Sequence, residues 1–184
     1  MHVSVTNVNN SEDWILRMNN DVRDATGSPL VDPAICIHRL AAVDDASALS
    51  ALTDAAELAG LVRPTFRAAL LERERSYPTG LPTVIPVAIP HADVEHVITP
   101  AIGVALLEHP VDFGEMGGSG STVAARVIVL LLVTEPHEQV DLLVRLIGVF
   151  QAEDWHAKLE ATRDAAELAA AFDALLAGPA GTPA

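Results

Sequence analysis

Basic charge is scarce in this sequence. Lys158 is the only lysine, and 11 Lys and Arg residues stand against 25 Asp and Glu, for a net charge of −14. Nucleic acids are held by clustered Lys and Arg that meet phosphates, and no such cluster exists here. The same charge argues against free polyanions such as ATP, which only a local arginine pocket would hold. Cysteine is scarcer still. Cys36 stands alone, so no internal disulfide can form, and its apolar neighbours Ala34, Ile35 and Ile37 read it as a small core residue. Long apolar runs are missing too. The longest, Val127 to Val133, is seven residues, whereas a membrane-spanning helix needs about 20. The first residues carry neither a basic region nor a long apolar stretch, so no secretory signal is expected and the protein is expected in the cytoplasm.

What remains is a globular composition. Half of the 184 residues are hydrophobic and about a fifth are charged. A chain of this size can bury a core without metals or disulfides. Residues 1–30, rich in asparagine and closed by Gly27-Ser28-Pro29, read as an N-terminal extension. Residues 31–177 read as one domain and 178–184 as a flexible tail. No internal repeat is visible.

Within the domain, strand and helix patterns alternate. A strand is expected over Ala34–Leu40. A helix follows from an N-cap at Asp44 or Asp45 to about Ala59, with Gly60 at C′. Pro64 opens a second helix that carries Phe66, Leu70 and Leu71 and runs to about Arg75. A turn-rich segment, Tyr77 to Pro82, leads to Val87-Ala88-Ile89-Pro90-His91. Strands are expected over Ile102–Leu107 and Arg126–Thr134, the latter apolar on both faces and therefore central. A helix from about His137 to Gln151 puts Val140, Leu143, Ile147 and Phe150 on one side, and two more lie near 154–161 and 164–177. The interleaving indicates an α/β domain with a mixed sheet flanked by helices.

Seven histidines are present. His91 and His96 are poorly spaced for two ligands on one helical face, and no His-Glu-x-x-His occurs, so no metal site is expected. The glycine-rich Gly114–Thr122 lacks the Gly-Lys-Ser/Thr ending of a phosphate-binding loop and reads as a connection between strands. No Gly-x-Ser-x-Gly elbow is present. His91 has a distinctive context. Pro90 fixes its own φ and pushes Ile89 toward an extended conformation, so the segment stops abruptly with His91 at its open end. A neutral imidazole there has a free nucleophilic nitrogen. Context alone still favours an ordinary surface histidine.

The order of three motifs changes that balance. Leu71-Glu72-Arg73-Glu74, then Tyr77-Pro78-Thr79-Gly80, then Val87-Ala88-Ile89-Pro90-His91 resembles the signature of enzyme IIA domains of the fructose–mannitol type in the sugar phosphotransferase system. Thr134 to Leu143 is similar to the galactitol-type branch, with Gln139 where fructose and mannitol members usually carry a second histidine. His137 lies two residues earlier. The resemblance covers about 31–177. It implies a phosphotransferase that takes a phosphoryl group from the phosphohistidine of HPr onto His91, in this family on Nε2, and passes it to a cysteine of enzyme IIB. Arg73 would stabilise phosphoryl charge, or else be a solvated residue in the run Glu72-Arg73-Glu74-Arg75. Thr79 and Gly80 would either shape the loop or, for Thr79, hydrogen-bond to the imidazole or phosphoryl group. Gln139 can donate a hydrogen bond but cannot be cationic. No cofactor, nucleotide or metal is implied, and the membrane is met only through a IIC component, which would choose the sugar.

Docking would use apolar surface around His91, drawn from Leu81, Val84, Ile85 and Val87. An alternative is a regulatory IIA-like module whose histidine phosphorylation state controls a protein partner. A third is a binding domain that has lost phosphorylation.

Overall fold

The computed structural model describes residues 30–118 and 120–178, apart from the side chains of 136–141. The extension ahead of Leu30 and the tail beyond Gly178 lie outside the described residues. Five strands form one mixed sheet: β1 (Ile37–Leu40), β2 (Gly80–Leu81), β3 (Val87–Ala88), β4 (Ala101–Gly114) and β5 (Thr122–Leu132). Their order is β1-β4-β5-β3-β2. β1 runs parallel to β4 and β3 parallel to β5, while the β4–β5 and β2–β3 pairs are antiparallel. The helices are α1 (Asp45–Leu58), α2 (Phe66–Ser76), α3 (Pro136–Gln151), α4 (Trp155–Glu160) and α5 (Ala165–Ala177).

β5 is the central long strand, as its unbroken apolar run predicts. Val127, Val129, Leu131 and Val133 face one side, with Leu142 and Leu146 of α3, Trp155 and Leu159 of α4, and Phe172 of α5. Ile128, Leu130 and Leu132 face the other, with Leu49 and Leu52 of α1 and Phe66 and Leu70 of α2. Each such fully buried side chain stabilises the fold by roughly 1.5–3 kcal/mol relative to exposure. Cys36 is buried in the first cluster, and burial pushes its thiol pKa up to about 12, as befits an inert core residue.

Helix ends follow their local sequence. Asp44 accepts from the Ser47 amide at 2.8 Å while the Ser47 hydroxyl accepts from the Asp44 amide at 3.1 Å, a reciprocal cap. Gly60 takes a φ of 71°, the left-handed conformation expected at C′. Pro136 stands at the first turn of α3.

Several boundaries differ from the sequence reading. The expected strand over Ala34–Leu40 is split. Val31 bridges to Ile102, Asp32 then accepts from the Ala34 amide and caps a 3-10 turn at Pro33–Ile35, and β1 itself begins only at Ile37. The second helix begins at Phe66 rather than at Pro64, because the Phe66 amide first closes a turn onto the Arg63 carbonyl. β4 runs on to Gly114 and β5 starts at Thr122, which shortens the glycine-rich connection to a hairpin tip. On α3 the buried face is Leu142, Leu146, Val149 and Phe150, while Ile147 is exposed. Of the residues expected on one side, Phe150 is buried and Leu143 packs against the core, and Ile147 alone is turned out; the side chain of Val140 lies outside the described residues.

Candidate active site

β3 ends against Pro90, whose carbonyl accepts from the Leu131 amide at 3.0 Å. His91 itself bridges to Leu131 of β5. The ring therefore hangs from a strand end fixed by the central strand, beside a cleft of about 460 Å³. Arg73, Tyr77 and Thr79 line one side of that cleft, and Met116, Gly117 and Gly118 of the β4–β5 tip line another.

Both ring nitrogens of His91 are engaged. Nδ1 lies 3.0 Å from the Ile89 carbonyl, which can only accept. Nε2 lies 3.1 Å from Arg73 Nη2, which can only donate. The two partners together select one neutral tautomer, with the proton on Nδ1 and the lone pair on Nε2. Burial depresses the His91 pKa below its ordinary 6.5. The Ile89 carbonyl opposes that shift, the Arg73 guanidinium adds to it, and Asp93 opposes it. The ring is thus held neutral at pH 7, with its nucleophilic nitrogen turned toward a cation.

Arg73 leaves the last turn of α2, where a cation also complements the helix dipole. Its Nη1 donates to Asp93 Oδ1 at 3.0 Å, and its guanidinium carbon sits 5.9 Å from the centre of the Tyr77 ring. Its Nε is buried without a hydrogen-bond partner among the described residues. A guanidinium whose Nη2 lies beside a nucleophile suits an incoming phosphoryl oxygen.

Of the roles the resemblance allows Thr79 and Gly80, the geometry displays the shaping of the loop. The Thr79 hydroxyl donates to Glu74 at 2.7 Å and not to the imidazole. Gly80 serves by being small. A Cβ there would meet the Gly114 carbonyl oxygen at 2.6 Å, and one on Gly114 would meet the Pro78 ring at 2.6 Å. The paired glycines let the β4–β5 tip cross the 78–80 turn, where the Met116 amide donates to the Gly80 carbonyl at 2.8 Å. Gln139 falls in the first turn of α3, which opens shortly after Leu131; its side chain lies outside the described residues. Of the expected docking residues, Val87 is core and Leu81 and Ile85 pack against the core, because β2 and β3 tuck them under α3–α5. Only Val84 projects fully, and the exposed apolar groups at the cleft itself are Tyr77 and Met116.

His96 belongs elsewhere. Its Nδ1 shares a 2.8 Å hydrogen bond with the Thr65 hydroxyl, and its carbonyl accepts from Arg63, which ties the 3-10 turn Val94–His96 to the start of α2. Glu74 and the glycine-rich tip are the site residues that sequence reasoning missed.

The family profile described as the phosphoenolpyruvate-dependent sugar phosphotransferase system, EIIA 2, matches residues 33–174. The chain belongs to this family. The galactitol-specific EIIA component of Escherichia coli strain K12 is 32% identical over 96 residues, 52% of this chain and 63% of that relative. This enzyme IIA chain thus matches less than two thirds of the length of its curated relatives. Its fold is that of the mannitol-type domains. The enzyme IIAMTL in its complex with phosphorylated enzyme IIBMTL from Escherichia coli superposes with a TM-score of 0.62 at 23% identity, covering 81% of this chain and 98% of that one. The IIA mannitol crystal structure from the same organism gives 0.59 at 20% identity, over 77% and 98%.

Proposed function

We propose that this enzyme IIA chain is a phosphoryl carrier that takes its group from phospho-HPr onto His91 Nε2 and hands it to the cysteine of an enzyme IIB. The observation that carries the reading is the geometry of the ring: Nε2 faces a group that can only donate, the Arg73 guanidinium at 3.1 Å, beside a cleft. In the forward step the Nε2 lone pair forms a bond to phosphorus as the donor's P–N bond breaks, and the donor imidazole leaves neutral. The proton stays on Nδ1. The positive charge that develops on the ring is met by the Ile89 carbonyl. Phosphoryl transfer passes through a loose transition state, so positioning and electrostatics supply most of the catalysis. Arg73 stabilises the phosphoryl oxygens and, in doing so, exchanges part of its contact with Nε2 for them.

No nucleotide or metal is required, because the energy arrives in the donor's P–N bond. Galactitol or a related polyol is the proposed cargo of the whole system, by likeness to the curated relatives, with the sugar itself bound by a membrane IIC component. Among the described residues no helix is long and apolar enough to cross a membrane, which fits a carrier that works from the cytoplasm.

The test is to incubate the protein with phosphoenolpyruvate, enzyme I and HPr and to read an acid-labile, base-stable phosphoryl adduct by intact mass. The wild type should gain it and His91→Ala should not. No adduct on the wild type, with a control IIA labelled by the same donor, would overturn the carrier reading and favour a binding module on the same fold.

A further inference from the structure

Arg73 and Glu74 are neighbours on the last turn of α2, yet they go opposite ways. Arg73 enters the cleft, and Glu74 turns into the protein, where it is 4% exposed. Both of its oxygens meet the same residue. Oε1 accepts from the Thr79 amide at 2.9 Å, and Oε2 accepts from the Thr79 hydroxyl at 2.7 Å. Thr79 is itself buried, and its carbonyl accepts from the Ile89 amide at 3.3 Å. The Ile89 carbonyl then accepts from His91 Nδ1 at 3.0 Å. An unbroken series of hydrogen bonds thus joins a buried carboxylate to the protonated nitrogen of the reactive ring.

The series transmits place rather than charge. The amide and the carbonyl of Thr79 belong to different peptide units, as do those of Ile89, so polarisation does not pass directly along it. What passes is register. Two bonds from one carboxylate fix both the backbone and the side chain of Thr79. Thr79 then fixes the strand end on which the ring hangs. A buried carboxylate is a costly way to fill space, and burial does raise the Glu74 pKa, against the opposing Thr79 bonds. An apolar side chain would fill the same volume at less cost. The carboxylate does what an apolar group cannot, which is to hold two donors of one residue at once.

We propose that Glu74 is a positioning residue for His91: acting through Thr79 and Ile89, it holds the ring in the Nδ1–H tautomer with Nε2 toward Arg73. One helix turn then sets both sides of the imidazole, Arg73 at Nε2 and Glu74, at a distance, at Nδ1. This deepens the carrier reading and rests on it for the kinetic arm of the test only.

The experiment uses the full chain with 15N-labelled histidine at pH 8, where the ring is neutral. Wild-type His91 should show the Nδ1–H form, with a free Nε2. Glu74→Ala should shift the ring toward a mixture of tautomers. It should also lower kcat for acceptance from phospho-HPr by about tenfold to a hundredfold, with KM little changed, since misplacement of a reacting group and not docking is at fault. Glu74→Gln should restore both readouts: its carbonyl can accept from the Thr79 amide while its amide donates to the Thr79 hydroxyl oxygen. Thr79→Val, which removes one of the two bonds, covers the case in which Glu74→Ala does not fold; it should move the ring signals in the same direction. The proposal is overturned if wild-type His91 carries its proton on Nε2. It is equally overturned if folded Glu74→Ala or Thr79→Val melts earlier but keeps wild-type ring signals and kcat, or if folded Glu74→Gln does not restore the tautomer. A wild type that takes no phosphoryl group removes the carrier reading alone, because the ring signals decide the tautomer without any donor.

Discussion

His91 is pulled in two directions, and the balance can be measured. Burial favours the neutral ring and the Arg73 guanidinium adds to that, while the Ile89 carbonyl and Asp93 favour the cation. The depressed pKa predicts that the ring signals of His91, followed by NMR, titrate with a midpoint below 6.5, and that Arg73→Gln moves the midpoint upward. A wild-type midpoint at or above 6.5 would contradict this. The sign for stability follows by linkage. As pH falls below 6.5 the unfolded chain takes the proton first, so His91 draws stability from the fold between 6.5 and its depressed value and has no effect above 6.5. His156, also depressed by burial, acts in the same direction. At this scale the sequence was informative where covalent geometry decides. Pro90 ends the strand whatever surrounds it, so the presentation of His91 was legible. Glu74 was not. In the run Glu72-Arg73-Glu74-Arg75 nothing local separates a carboxylate that will be buried from one that will be solvated, and the distinction arises only when α2 packs.

Elements were legible where the pattern is long and strong, as in β5 and α1, and less so where partners decide. The apolar residues of α3 reach round more than one face, so periodicity alone does not centre the stripe; docking on the sheet centres it on Leu142, Leu146 and Val149, keeps Leu143 and Phe150 against the core and leaves Ile147 exposed. The glycine-rich connection was read correctly as joining two strands, but its place beside His91 depends on Gly80 meeting Gly114, a contact between residues far apart in sequence. That contact yields a prediction. Gly80→Ala puts a methyl group against a backbone oxygen that cannot swing away, and should destabilise the protein by about 1–3 kcal/mol, as overpacking does. It should also move the Met116 methyl signal by NMR as the tip is displaced. Gly148→Ala provides the contrast. It is helical, with nothing within 4 Å of an added Cβ, so it should be neutral or stabilise by up to about 1 kcal/mol. Urea unfolding of the two variants reads both. Equal effects would mean that the Gly80–Gly114 crossing does not hold the tip.

At the scale of the whole molecule, one sheet separates two cores, and the site draws on them unequally. Leu130 and Leu131 are adjacent on β5 and both fully buried. Leu130 belongs with Phe66 and Leu70 of α2, the helix that delivers Arg73 and Glu74. Leu131 belongs with Leu142, Leu146 and Phe172 on the α3–α5 side, and its backbone amide holds Pro90 whatever its side chain is. Truncation of either to Ala removes similar apolar volume and should destabilise by about 2–5 kcal/mol. In a domain stable by roughly 5–15 kcal/mol, most molecules remain folded wherever that loss is smaller than the domain's own stability by about 1–2 kcal/mol. The consequences for the site should differ. Leu130→Ala lets α2 settle toward the sheet, which shifts Arg73 relative to Nε2 and loosens the turn that Glu74 holds. Leu131→Ala leaves both contacts and the Pro90 bond in place. Ring signals of His91 should therefore move in Leu130→Ala and stay near wild type in Leu131→Ala, at matched losses of stability by urea unfolding. Equal displacement in both would show that the sheet couples its two faces, and that the reactive geometry belongs to the whole domain rather than to the α1–α2 layer.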